Sequence, residues 1–277
     1  MTTGSKPQPA ASNSREAKTI QHQHRIPDAQ RAAISSPDLA WSHSNDLSND
    51  FRSDSYTKPT LPMLEDYMAS LVGREASLLV ASGTLENPEW GSASYLTGIT
   101  TRQAIPSNGY HITLDDVKRE STLGESIYEV PIRIISLENT LNGTIPLSDI
   151  RAIAPWARGR SPSIHAHLDG APLWEAVARG AITLHAIGDC FDSIQLCFTK
   201  GVGAPLGGIV TGSSVYIERA EWGRKSLGGG IRATKIIAAS ARVAVDDVFF
   251  VGNLQAGQEK AKGEYCLAYP RGVRPKA

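Results

Sequence analysis

The sequence has little cysteine and no excess of either charge. Its three cysteines, Cys190, Cys197 and Cys266, form no CxxC pair. This pattern argues against a disulfide framework or a structural zinc site and favours a reducing compartment. Because 28 basic residues balance 28 acidic ones, the charge indicates neither a nucleic-acid partner nor binding to a membrane surface. We therefore expect a cytoplasmic protein.

Several long or glycine-rich patterns are also missing. No apolar run approaches the ~20 residues of a membrane helix, and the N-terminus lacks the apolar core of a signal peptide. Neither the P-loop pattern GxxxxGK[ST] nor a GxGxxG motif after the first predicted strands occurs, which excludes the common nucleotide-binding loops. What remains is a 277-residue chain with 41% hydrophobic residues, a composition typical of a globular protein with a sizeable core.

The composition changes twice along the chain. Residues 1–45 are polar and hardly contain an aliphatic run, so we expect a disordered tail, with an organellar leader as the weaker alternative. Residues 46–250 carry the apolar patterning of one folded domain. Residues 251–277 return to Gly, Gln, Lys and Pro and are expected to form an irregular tail.

Within the central segment, β-branched apolar runs alternate with helical patterns. Strands are predicted at 75–84, 132–138, 163–171, 191–199 and 207–212, and helices at 59–73, 147–159, 172–180, 213–226 and 232–249. In the second helix, Ser148 is the expected N-cap and Pro155 is expected to kink or shorten the helix. The alternation predicts an α/β fold with a mostly parallel central sheet flanked by helices.

Three of the predicted strands end in unusual residues, and ligands of open α/β sheets bind at the carboxyl ends of strands. The first end, Ser82-Gly83-Thr84, is an ordinary turn or a cradle for an anion. The second, Asp169-Gly170, is a turn or helix cap, or a carboxylate that pairs with a cationic ring nitrogen. The third, Thr199-Lys200-Gly201, marks where a strand reaches water, or presents an amine that forms an imine with a carbonyl.

Taken together, the functional alternatives match pyridoxal 5'-phosphate (PLP), whose phosphate, ring nitrogen and aldehyde each need one of these groups. The glycines that follow Lys200 would let the main chain approach such a ring closely. His165 and His167, on one predicted strand, are considered as a pair of metal ligands. We expect them on opposite faces of that strand, and therefore predict no metal site.

Six segments resemble the low-specificity L-threonine aldolases, which are fold type I PLP enzymes of the β-eliminating lyase superfamily. They are "NDFRSDSYTKPT", "LLVASGT", "RIISLENTLNGTIPLSDI", "HAHLDGAPLWEA", "FDSIQLCFTKGVGAPLGGIVTGS" and "RKSLGGGIRAT". The resemblance spans about 49–245 in the same order and implies a large PLP-binding domain at 46–250, abbreviated relative to the family. It further implies a homodimer or homotetramer that cleaves threonine, allo-threonine or another β-hydroxy amino acid to glycine and an aldehyde.

The resemblance also implies roles for individual residues. Lys200 would form the internal aldimine and Asp169 would pair with the pyridine nitrogen. The phosphate would be held by Ser82, Gly83, Thr84, Lys225 and Arg232. The substrate would be contacted by Ser53, Glu138 and Asn139.

The chain departs from the family pattern at several places. Pro172 stands where the family has an arginine that helps to bind the substrate carboxylate, and two internal segments and the C-terminal small domain have no counterpart. One of the missing segments supplies the histidine that stacks on the cofactor. Two alternatives therefore stay open: a weakly active or inactive cofactor-binding paralogue, and another PLP reaction such as β-elimination or racemisation.

Overall fold

A computed structural model describes residues 60–80, 94–124, 126–139, 145–180, 182–230 and 234–268. Its elements in chain order are α1 (Thr60–Val72), β1 (Ala76–Val80), α2 (Leu114–Glu120), β2 (Ile134–Glu138), α3 (Leu147–Arg158), β3 (His165–Asp169), α4 (Leu173–Ala178), α5 (Leu184–Gly188), β4 (Ser193–Cys197), β5 (Gly208–Gly212), α6 (Ser214–Ser226), α7 (Lys235–Ala244), a π-helix (Val245–Phe250) and α8 (Asn253–Ala268). No helix in these ranges is long and apolar enough to span a bilayer.

The strands form one mixed sheet in the order β1-β5-β4-β3-β2. Strands β2, β3 and β4 pair in parallel, whereas β5 is antiparallel to both of its neighbours, β1 and β4. Four strands therefore run in one direction and their carboxyl ends lie at one edge. The predicted α/β fold with helices around a mostly parallel sheet is confirmed.

One side of the central strands packs into the apolar core. Leu168 on β3 and Ile194 on β4 are fully buried. In the same core, the Trp174 ring lies 4.9 Å from that of Phe249 and 6.4 Å from that of Phe198, measured between centroids. Burying each large apolar side chain stabilises the fold by about 1.5–3 kcal/mol.

Helix α3 differs from expectation at its N-cap. Its N-cap is Pro146, which makes no side-chain cap hydrogen bond, and Ser148 lies inside the first turn. The predicted Ser148 cap is therefore wrong. Pro155 lies inside the helix, which ends three residues later at Arg158.

The predicted irregular tail is also wrong for residues 253–268, which form α8. Gly257 and Gly263 interrupt its sequence pattern, and each costs a helix about 1 kcal/mol relative to alanine. Tertiary contacts offset this cost: Leu254 packs against the core, and Gln258 Nε2 donates to the carbonyl of Glu175 over 2.9 Å. The domain boundary at 46 stays a prediction, since residues before 60 lie outside the described ranges. The boundary at 251 also stays a prediction.

Side chains cover the outer edge of β1. The N–H of Leu79 donates to Glu65 Oε1 over 2.8 Å, and Arg224 Nη1 donates to the Leu79 carbonyl over 2.7 Å. Unpaired backbone groups at a sheet edge attract further strands. Glu65 and Arg224 instead satisfy the N–H and the carbonyl of Leu79, one residue before the end of β1.

The Glu65 carboxyl makes stability depend on pH. Burial raises the pKa of Glu65 from 4.5 to about 7, so the folded protein retains a proton that the unfolded chain releases within this range. Stability is therefore lost as the pH rises from 4.5 to 7. We expect Glu65→Gln, which can still accept from Leu79, to reduce this loss by on the order of 3 kcal/mol.

Urea unfolding at a series of pH values measures the effect. Glu218→Gln, on the exposed part of α6, is the matched control and should leave the pH dependence unchanged. An identical decline in wild type and Glu65→Gln would contradict the assignment.

Candidate functional site

The parallel strands place a row of polar side chains on the face of the sheet opposite Leu168. Glu138 and Asp169 are register partners at the carboxyl ends of β2 and β3, and Gln195, in the middle of β4, is the register partner of Asp169. One step deeper, Ser136 and Ser193 flank His167. Because residues two apart on a strand share a face, the two rows form one polar surface.

Asp169 lies at the centre of this surface and is 2% exposed. Its Oδ1 accepts from the N–H of Ala171 over 3.0 Å, and its carbonyl accepts from the N–H of Asn139 over 3.1 Å. The Gly170 N–H donates to the Gln195 carbonyl over 2.8 Å. Asp169 is thus fixed by both neighbouring strands.

Around Asp169, three buried nitrogen atoms have no hydrogen-bond partner in the part of the chain that the structure describes: Asn139 Nδ2, His167 Nε2 and Gln195 Nε2. Asn139 is 1% exposed, and its Oδ1 accepts from the Ile145 N–H over 3.1 Å. Buried polar atoms nearly always have partners. The surface therefore fits a bound group that carries hydrogen-bond acceptors as well as a basic nitrogen.

Lys200 follows β4 and lies at the same sheet edge as Asp169. Its loop closes on itself, since the Ala204 N–H donates to the Phe198 carbonyl over 2.8 Å. Gly203 and Gly207 have φ angles of +72° and +107°, which residues with a Cβ rarely adopt. The glycines after Lys200 thus have a conformational role in the loop.

Because Gly201 has no Cβ, it leaves room for the carboxylate of Glu175. A Cβ at Gly201 would lie 2.6 Å from Glu175 Oε1, so the two residues are in close contact. Burial raises the pKa of Glu175, and the positive charge of Lys200 and the N–H of Gly201 act in the opposite direction. Glu175, on α4, is therefore an acidic neighbour of Lys200 that the sequence analysis did not identify.

Trp174 joins the segments that carry the acid and the amine. Its Nε1–H donates to the carbonyl of Cys197 over 3.0 Å. Trp174 follows Asp169 by five positions, and Cys197 precedes Lys200 by three. The buried Trp174 ring thus links α4, which follows β3, to the end of β4.

The structure describes only some of the other predicted site residues. Lys225 is exposed in the last turn of α6, and the neighbouring Arg224 contacts Leu79 at the end of β1. Lys225 is therefore at the same sheet edge as Asp169 and Lys200. Five predicted site residues lie outside the described ranges, namely Ser53, Ser82, Gly83, Thr84 and Arg232.

The expectation that His165 and His167 lie on opposite faces is wrong, because residues two apart on a strand share a face. Both rings contact the hydroxyl of Ser193, with His165 Nε2 at 2.8 Å and His167 Nδ1 at 2.7 Å from Oγ. No group of three or more potential metal ligands occurs among the described residues.

Sequence analysis missed Gln195 and Ser193 because "SIQLC" was treated as one apolar strand. All five of its residues are buried, so their burial does not separate the two faces. The period of two would have placed both polar side chains on the face of Asp169.

This topology is that of an open α/β protein, a class whose ligands bind where parallel strands end. A sequence model of the beta-eliminating lyase family matches residues 74–266, and the chain belongs to that family. Its members are PLP-dependent, and the acid, the lysine and the buried donors described above fit that cofactor.

Three relatives share about a third of their aligned residues with the chain. Aldolase vrtJ from Penicillium aethiopicum is 36% identical over 80% of this chain and 69% of its own length. The low-specificity L-threonine aldolase of Eremothecium gossypii is 34% identical over 72% and 64%, respectively. Alanine racemase TOXG from Cochliobolus carbonum is 30% identical over 77% and 67%. The chain thus spans roughly two thirds of the length of these relatives.

A solved structure supports the fold. The threonine aldolase of Leishmania major is 17% identical and superimposes with a TM-score of 0.62, covering 83% of this chain and 76% of that one. The expected fold type I architecture is confirmed.

The Trp174 contact gives a prediction for stability. We expect Trp174→Phe, which removes the hydrogen bond to Cys197 and leaves a small void, to lower the free energy of unfolding by about 1–3 kcal/mol. Trp222→Phe is the matched control, because Trp222 is 74% exposed, and should change stability by less than about 0.5 kcal/mol. Equal effects of the two substitutions in urea unfolding would contradict the role of Trp174.

Proposed function

We propose that the protein is a PLP-dependent aldehyde-lyase that cleaves L-threonine, L-allo-threonine or another β-hydroxy amino acid to glycine and an aldehyde. The observation that supports this proposal is that Asp169 ends β3 and that Lys200 follows β4, the parallel neighbour of β3. Membership of the beta-eliminating lyase family and the identity to a threonine aldolase support the same reaction.

When bound, PLP supplies an electron sink for cleavage of the Cα–Cβ bond. In this proposal Lys200 is the residue whose amine would hold the cofactor covalently. The Asp169 carboxylate, whose Oδ1 accepts from the Ala171 N–H, would hold a proton on the ring nitrogen. Glu175 lies beside Lys200 and supplies a negative charge when that amine is protonated.

Further roles are proposed for residues around the strand ends. Glu138 and Asn139 contact the substrate from the end of β2, together with Ser53. The phosphate is held by Ser82, Gly83, Thr84, Lys225 and Arg232. In the overall reaction the β-hydroxyl loses its proton as the aldehyde forms, and the glycine Cα gains one.

A racemase is the second candidate, favoured by the identity to an alanine racemase. Racemisation needs the same acid and lysine but breaks a C–H bond instead of a C–C bond. Pro172 at the N-cap of α4, where the threonine aldolase pattern has an arginine, supports a third alternative of weak activity.

The cofactor linkage is tested with Lys200→Ala. We expect the purified protein with added PLP to show a visible absorption band that borohydride removes, and we expect this band to be absent in Lys200→Ala. Lys118→Ala, on the exposed part of α2, is the control and should keep the band. If the wild-type protein stays colourless, cofactor binding is contradicted.

The same preparations separate the candidate reactions. Release of glycine and acetaldehyde from L-threonine supports the aldolase. Formation of D-alanine from L-alanine without glycine release from threonine supports the racemase. If neither product forms while the band is present, the weakly active alternative holds.

We also propose that the protein is cytoplasmic and assembles as a homodimer or homotetramer. Cys190 and Cys197 are free thiols, which suits a reducing compartment. Exposed apolar residues are concentrated before β2, where Tyr95, Ile127 and Tyr128 are each 91% exposed, and such surfaces favour association.

For the assembly we expect light scattering to give at least twice the chain mass of 29.7 kDa. Replacing Ile127 and Tyr128 by serine should shift the equilibrium toward the monomer. A wild-type protein that stays monomeric at micromolar concentration would contradict the proposed assembly.

A further inference from the structure

The carboxylate of Glu175 packs on the loop that carries Lys200. If Gly201 had a Cβ, the three atoms nearest to it would be Oε1, Cδ and Oε2 of Glu175, at 2.6, 2.7 and 3.1 Å. Burial raises the pKa of Glu175, whereas the positive charge of Lys200 and the N–H of Gly201 lower it. The carboxylate thus interacts with the main chain of the residue that directly follows the amine.

The missing Cβ of Gly201 is required for this contact and not for the backbone conformation. Gly203 and Gly207 have positive φ angles, but Gly201 is not among the glycines that do. An alanine could therefore adopt the backbone of Gly201 without strain. Its Cβ would instead displace the carboxylate, because the end of a glutamate side chain can move more easily than the main chain.

The main chain of Glu175 is itself held at two points. Its carbonyl accepts from Gln258 Nε2 on α8 over 2.9 Å. The preceding residue, Trp174, is fully buried and donates to the Cys197 carbonyl over 3.0 Å. The Glu175 side chain therefore reaches Gly201 from a fixed position on α4.

Hydrogen bonds inside the loop give it its shape. The Gly203 N–H donates to the Lys200 carbonyl over 2.9 Å, and the Ala204 N–H donates to the Phe198 carbonyl over 2.8 Å. These bonds join residues of the same loop and do not attach it to a helix. The contact of Glu175 with Gly201 supplies such an attachment, directly beside Lys200.

We infer that Glu175 is a positioning residue for Lys200, whose carboxylate packs on Gly201 and fixes the loop against α4. This inference rests on the proposed role of Lys200 at the cofactor. A loop that is already fixed holds the amine in place, so that less freedom is lost when the covalent link forms. The contact should therefore affect the rate of linkage more than the fit of the cofactor.

The first test measures amide hydrogen exchange at Gly201 in the protein without cofactor. We expect Glu175→Ala to accelerate this exchange at least about 10-fold, because a hydrogen bond to a charged group is lost. Glu175→Gln keeps an oxygen for the Gly201 N–H, and Oε2, which it replaces by an amide, has no partner among the residues that the structure describes. Its exchange should stay within about threefold of wild type. Equal exchange in wild type and Glu175→Ala would overturn the inference.

The second test is a double-mutant cycle on the rate at which the visible band appears after PLP is added. We expect Glu175→Ala and Gly201→Ala each to slow this rate about 10-fold. The double variant should be no slower than either single one, because both substitutions remove the same contact. The affinity for pyridoxamine 5'-phosphate, which has no aldehyde for Lys200, should change less than twofold.

Matched controls are available for both substitutions. A Cβ at Gly223 on α6 would meet nothing within 4 Å, so Gly223→Ala controls for Gly201→Ala. Glu259 is exposed on α8, next to Gln258, and Glu259→Ala controls for Glu175→Ala. We expect both controls to leave the exchange at Gly201 and the rate of band formation unchanged.

The outcomes separate the inference from the proposed function. Effects of Glu175→Ala and Gly201→Ala that add in the double variant overturn the positioning role, as does an equal loss of affinity for PLP and pyridoxamine 5'-phosphate. A wild-type protein that forms no band overturns the proposed function, while the exchange at Gly201 still decides whether Glu175 holds the loop. If Glu175→Ala fails to fold, the comparison of Gly201→Ala with Gly223→Ala carries the same test.

Discussion

The parallel register of β2, β3 and β4 is the constraint on which the site depends. It brings Glu138, Asp169 and Gln195 side by side on one face of the sheet, although they are far apart in sequence. A shift of β3 by one residue would turn Asp169 into the apolar core and Leu168 toward the polar row. The fully buried Leu168 therefore helps to determine where the acid lies.

The strands and most helices could be predicted because β-branched runs and helical spacing are local properties of the sequence. Asp169 and Lys200 were placed at strand ends for the same reason. The expectation that His165 and His167 lie on opposite faces was wrong, because side chains two residues apart on a strand share a face. The contact between Gly201 and Glu175 could not be predicted, because it depends on how α4 packs on the loop after β4. Helix α8 was missed because Gly257 and Gly263 weaken its pattern, and its contacts with Leu254 and Gln258 are tertiary.

The family assignment and the geometry support each other at different levels. The sequence match establishes the beta-eliminating lyase family, whereas the relatives include both a threonine aldolase and an alanine racemase. An acid and a lysine on neighbouring strands serve both chemistries. Reaction choice must therefore come from residues that contact the substrate, and Pro172, at the N-cap of α4, is a described residue at which this chain departs from the threonine aldolase pattern.

The hydrogen bond from Trp174 to Cys197 has a consequence for motion. Trp174 belongs to the helix that follows β3, and Cys197 is the last residue of β4 before the Lys200 loop. The Trp174 ring therefore links these two segments, and it packs on Phe249. Motion of surface segments can then alter access to the site without changing the distance between Asp169 and Lys200. Amide hydrogen exchange at the ends of β3 and β4 should accordingly require global unfolding rather than local opening.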